Sequence, residues 1–250
     1  MIKVLAGGDS FIFGAEMPDC TWQQASKLTI PSLLSNSIGV DYHCCAKIGN
    51  SNSAIVRQIM NDCEQYKDQK LAVFVMWTFR NRHEFMFNHA IDGVEYPWYS
   101  ISPWRISTGL VKDFSNTFYK HVGSNTTYEV YQSLKEIVLL QQYLKTNNIP
   151  YMFTHADDSF KPHSTNTNIS VKTLYNQVDW DQWFIFPDQS KQSDIASNNF
   201  YQTTLPNGFY KWAVNNQYPI GEKNHPLTQA HVDAAKLMQE KFNEIFKKFV

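Results

Sequence analysis

Seven consecutive residues, Leu71 to Trp77 (LAVFVMW), carry no charge at all. A run so short and so apolar reads as a strand buried on both faces, the kind that lies in a parallel sheet covered by helices. The chain around it alternates in the same sense. Ile2 to Ala6 is another short apolar run, ended by Gly7-Gly8, and Val40 to Ile48 and Ile149 to Thr154 read as two further strands. Between them the hydrophobic period changes to that of helices. Thr21 to Ser37 sets Trp22, Ala25, Leu28, Leu33 and Leu34 at helical spacing, with Pro31 kinking or restarting the turn. Ile55, Ile59 and Cys63 fall four apart within Asn52 to Tyr66, on one helical face. Thr126 to Asn147 is the strongest helix signal, and Pro226 to Phe249 closes the chain as another. Such alternation predicts right-handed βαβ units and a mostly parallel sheet, with the chemistry gathered at the carboxyl ends of the strands.

Two stretches break the alternation, at about 80–125 and 157–221, and both are rich in aromatic residues, Pro, Asn and Ser. They read as insertions over the strand ends of a single domain spanning 1–250, a size that suits one core. In the second, Trp180, Trp183, Phe184 and Phe186 suit packing on the sheet edge better than sugar stacking. Lys and Arg total 22 against 23 Asp and Glu, a net charge of −1, so the field that nucleic acid requires is lacking. Cys20, Cys44, Cys45 and Cys63 form no C-x-x-C pair, which points to reduced core thiols and no zinc site. His83 with His89, and His155 with Asp157 and Asp158, lack a third ligand at regular spacing, so neither a metal nor another cofactor is expected. No run reaches the roughly 18 apolar residues of a membrane span, and the N-terminal apolar stretch is too short for a signal peptide. The expectation is a cytoplasmic or virion-associated protein with no membrane partner.

The first strand ends in Gly8-Asp9-Ser10. A serine on a sharp turn after a buried strand has its hydroxyl raised at the sheet rim, where it can meet a base and attack a carbonyl. Helix capping explains the same tripeptide equally well, since Asp and Ser are preferred caps. The second strand ends in Gly49-Asn50-Ser51-Asn52, and Glu222-Lys223-Asn224-His225-Pro226 precedes the last helix. These blocks, in this order, resemble the SGNH/GDSL esterases and acylhydrolases. The resemblance implies a three-layer α/β/α sandwich with a flavodoxin-like sheet. It implies Ser10 as nucleophile, His225 as general base and Glu222, three residues before it, as the acid that orients the imidazole. It also implies that the Ser10 and Gly49 backbone N–H groups face the developing oxyanion.

Two blocks depart from the family pattern. Glu222 stands where the family has aspartate. The third strand runs into Trp77-Thr78-Phe79-Arg80-Asn81-Arg82-His83-Glu84 in place of the Gly-x-Asn-Asp block whose asparagine completes the oxyanion hole. Thr78 and Asn81, or Asn52 from the neighbouring turn, are the candidate replacements. Asp9, Asn52, Trp77 and Arg82 are the candidate substrate contacts, while Arg82 with Glu84 reads as a surface ion pair. His231 reads as structural. The W-T-x-x-x-R-x-E variant resembles a divergent branch found among tailed phages and marine bacteria. The function implied is hydrolysis of a short, O-acetyl-like ester, on a small molecule or a glycan, through an acyl-enzyme. Two alternatives stand beside it: a catalytically weak or inactive scaffold that binds or builds virions, and an O-acyltransferase using the same residues.

Overall fold

A computed structural model describes residues 2–88, 90–91, 97–104, 107–157, 168–187 and 208–246. Its centre is a four-stranded parallel sheet of β1 (Ile2–Gly7), β2 (Asp41–Cys44), β3 (Lys70–Trp77) and β6 (Tyr151–His155), in the order β2-β1-β3-β6. The order doubles back at β1, which makes a flavodoxin-like switch point at the carboxyl ends of β1 and β3. The uncharged run of β3 follows from its place. Ala72, Phe74 and Met76 point into one core, and Leu71, Val73, Val75 and Trp77 into the other. Helices α2 (Ile30–Ser37), α7 (Phe209–Asn215) and α8 (Thr228–Phe246) cover the first face. Helices α3 (Asn52–Gln65) and α5 (Thr126–Thr146) cover the second, so the architecture is a three-layer α/β/α sandwich.

The stretch before α2 differs from expectation. Helix α2 begins only at Ile30, with Pro31 in its first turn, and Trp22 is 82% exposed. The preceding backbone is held by side chains: Thr21 Oγ1 accepts from the Gln23 and Gln24 amides, and Asp19 from Ser26 Oγ and the Lys27 amide. Such local bonds compete with the helical ladder and here they win.

The stretch at 80–125 contains a two-stranded antiparallel sheet, β4 (His83–Met86) with β5 (Trp98–Ile101), then α4 (Gly109–Phe118). A separate cluster of Phe87, Ile101, Val111 and Tyr119 holds it together. The described parts of the second stretch include α6 (Ile169–Tyr175) and a turn at Trp180–Gln182, after which Trp183 bridges Phe153 and extends the sheet. Trp183 and Phe186 are buried, in keeping with packing on the sheet. Among the described residues no helix is long and apolar enough to cross a membrane.

Candidate active site

Ser10 opens α1 (Ser10–Phe13), a single turn at the carboxyl end of β1. The turn is tight: a Cβ on Gly8 would stand 2.5 Å from Ile12 Cγ1. Asp9 caps the helix through Oδ1, which accepts from the Phe11 amide at 3.0 Å. Gly14 ends it with φ +79. The capping and the raised serine are therefore one piece of structure.

Asp9 is fully buried and does more than cap. Its Oδ2 accepts from Thr78 Oγ1 at 2.5 Å and from Arg82 Nη1 at 2.8 Å. A carboxylate with no access to water needs such charge-assisted donors. The pairing expected of Arg82 with Glu84 is corrected here. Arg57, one layer away on α3, takes Glu84 with two bonds of 2.6 and 3.0 Å, and Arg82 turns inward to Asp9.

Several expected donors are already committed. The Thr78 amide donates to Asn52 Oδ1 at 2.9 Å, its carbonyl accepts from Asn52 Nδ2 at 3.3 Å, and its hydroxyl donates to Asp9. Asn52 is buried and ties β3 to Ser133 of α5 rather than facing substrate. Trp77, expected at the substrate, is fully buried with its ring edge-on to Phe153. Gly49 sits in the turn after β2 with φ +81, and Asn50 beside it anchors the Gly8 carbonyl at 2.9 Å. Asn81 faces the cleft described next, and its carbonyl accepts from Tyr119 Oη.

A cleft of about 890 Å³ opens over these strand ends, lined by Ser10, Phe11, Phe79, Asn81, Arg82, Trp104, Tyr210 and His225, among others. It draws residues from both long stretches and from the turn before α8. His225 stands edge-on to the Phe11 ring at 5.7 Å between centroids, and its Nδ1 is 2.5 Å from Glu16 Oε2. Glu222 is exposed and has no ion-pair or hydrogen-bond partner among the described residues. The carboxylate that meets the imidazole is Glu16, from the loop just after α1. Both Glu16 oxygens also accept from the Lys223 amide, at 3.0 Å each. Burial opposes ionisation of Glu16, but the bond to His225, the Lys223 amide and the imidazole charge together hold its carboxyl below the usual value. A Cβ on Gly221 would lie 2.6 Å from Glu16 Oε2, so the turn fits this carboxylate because residue 221 has no side chain.

With Nδ1 occupied, Nε2 is the nitrogen left for the cleft. Ser10 and His225 share that cleft without a hydrogen bond between them, a separation common in unliganded sites that tighten on substrate. His231 is fully buried, and its Nδ1 accepts from the Ile30 amide at 3.3 Å, a structural role. His155 packs on Trp183, while His89 and Asp158 lie outside the described residues. Away from the cleft lining, one grouping escapes the sequence spacing: His43, Cys45 and Asp62 have ligand atoms within 4.8 Å of one another at the β2 edge. His43 and Asp62 already pair there at 3.4 Å, and burial raises the Cys45 thiol well above its ordinary value.

No family model matches the chain, and no curated protein matches it. Solved structures similar to it are esterases and GDSL-family hydrolases. One is the psychrotrophic esterase EstA from Pseudoalteromonas sp., with a TM-score of 0.42 at 11% identity over 99% of this chain and 97% of that one. Another is a member of the lipolytic protein G-D-S-L family from Veillonella parvula, with a TM-score of 0.46, 12% identity and both chains covered in full. A third is a carbohydrate esterase family 2 enzyme with a carbohydrate-binding domain from Corynascus, with a TM-score of 0.48 and 11% identity over 98% of this chain and 66% of that one.

Proposed function

We propose that the chain is a serine ester hydrolase of the SGNH/GDSL type, one catalytic unit spanning 1–250, with described residues of the stretches at 80–125 and 157–221 lining the cleft. The observation that carries the reading is the Glu16–His225 contact on the cleft that Ser10 also lines. An imidazole oriented through Nδ1 presents Nε2 as a base, and an ionised carboxylate stabilises the imidazolium that forms. Ser10 Oγ bonds to the acyl carbon as its proton passes to Nε2. The carbonyl electron pair moves onto oxygen, where the Ser10 and Gly49 amides are the proposed backbone donors. Collapse of that intermediate expels the alkoxide, which takes the proton from His225. Water then repeats the sequence to release the acid.

A short acyl group on a carbohydrate is the proposed substrate. Phe11, Phe79, Tyr210 and the 53% exposed Trp104 give the cleft flat faces for a sugar ring. Transfer of the acyl group to a second alcohol uses the same atoms. The test is turnover of p-nitrophenyl acetate and labelling by a fluorophosphonate, with Ser10→Ala as control. Both signals disappear in the variant if the reading holds. Equal behaviour of the two proteins favours the non-catalytic binding scaffold, for which the unbonded Ser10 and His225 are the supporting observation.

A further inference from the structure

We propose that Arg82 is an oxyanion donor, standing in for the asparagine missing from the end of β3, and that Asp9 is its positioning residue. The proposal rests on the serine-hydrolase reading. Thr78 has its amide, carbonyl and hydroxyl hydrogen all committed within the wall of the site, so it has no donor left for substrate. Arg82 is arranged differently. Its Nη1 is bound to three oxygens, Asp9 Oδ2 at 2.8 Å, Thr78 Oγ1 at 2.9 Å and the Asn50 carbonyl at 3.2 Å. Its Nε and Nη2 make no hydrogen bond among the described residues, and neither belongs to the sealed, unpartnered polar atoms of the interior. Neither unbonded nitrogen is sealed in the interior, and Arg82 is one of the residues that line the cleft with Ser10.

The plane of the guanidinium is fixed as well as its end. Phe79 lies 4.6 Å from it and Trp104 5.7 Å, both centroid to Cζ. Arg82 is also tied to the residue that immediately precedes the nucleophile. Asp9 neutralises the resting charge, so the site carries parallel N–H donors that need no reorganisation when negative charge grows on the carbonyl oxygen. Arginine suits this role because one edge of its planar fork can be anchored while the other remains available, which a lysine cannot do.

The decisive comparison is of wild type, Arg82→Lys, Arg82→Ala, Asn81→Ala and Ser10→Ala, each checked for a normal melting transition. Arg82→Lys keeps a cation for Asp9 and so guards against misfolding through a buried unpaired charge. It is expected to lower kcat for p-nitrophenyl acetate on the order of a hundredfold, with KM changed by less than about threefold. Millimolar guanidinium, but not ammonium, is expected to restore part of the activity of Arg82→Ala, a response a merely structural arginine would not give. The proposal is overturned if Arg82→Lys keeps wild-type kcat, or if its loss lies in KM and only for anionic esters. It is overturned too if Asn81→Ala proves the more damaging change. Failure of the underlying reading looks different: wild type and Ser10→Ala then turn over alike.

Discussion

Replacing Glu16 by glutamine tests whether the carboxylate that the fold delivers to His225 is the working acid. The amide is the same size, and its oxygen still accepts from the Lys223 amide, now at 3.0 Å from both carboxylate oxygens. What disappears is the negative charge 2.5 Å from Nδ1. Removing the acid of a serine–histidine–acid site costs up to about ten-thousandfold in kcat. The Glu16 side chain is 21% exposed, so water screens part of its charge. The expected loss is therefore nearer a thousandfold, about 4 kcal/mol of transition-state stabilisation. The assay is steady-state hydrolysis of p-nitrophenyl acetate beside a thermal melt, with Glu222→Ala in parallel. Glu222 touches nothing that matters to the imidazole, and its variant should stay within about twofold of wild type, the scale of a neutral surface change. If Glu16→Gln keeps full kcat, or if Glu222→Ala falls as far, the assignment of the acid is wrong.

Two further outcomes follow from the same structure. Gly221→Ala puts a methyl 2.6 Å from Glu16 Oε2, and the carboxylate is a mobile chain end that can yield. The variant should melt normally yet lose kcat to about the extent of Glu16→Gln; unchanged turnover would show that the turn has slack. Burial lowers His83 to about 4 and His155 and His231 to about 3, so all three rings are neutral in the fold. In the unfolded chain they take protons below about pH 6.5. Stability is thus fully present above that value and is lost as pH falls toward the folded values, by up to about 1.4 kcal/mol per pH unit for each ring. A urea midpoint that does not drop between pH 7.5 and 5 (round values either side of about 6.5) would contradict this burial.

The sheet was readable because burial on two faces leaves no polar period to confuse the pattern. The runs at Ile2, Leu71 and Ile149 mark β1, β3 and β6 to within a residue or two, and α5 ends one residue before the expected Asn147. The helix expected from Thr21 does not form because Thr21 and Asp19 bind backbone amides, a use of side chains that hydrophobic spacing does not register. The order of Ser10 and His225 along the chain was legible, as was the absence of the strand-end asparagine. Glu16 was not. It is joined to His225 across 209 positions and sits at φ +66, and only the fold tells it apart from Glu222, which has the family spacing. Arg82 stands near Glu84 in the sequence, but its partner in the fold is Asp9, a carboxylate that reads as a helix cap.

The long reach between Glu16 and His225 also decides which parts of the chain such a site needs. Ser10 and Glu16 lie six positions apart around α1, whereas His225 comes from the turn just before α8, 209 positions from Glu16. Without that turn, the segment around Ser10 is a capped single helical turn with a serine on it. Under the proposed mechanism, a chain cut between Glu16 and His225 would be silent toward esters, and a separately supplied fragment carrying His225 and α8 would be the piece that switches it on.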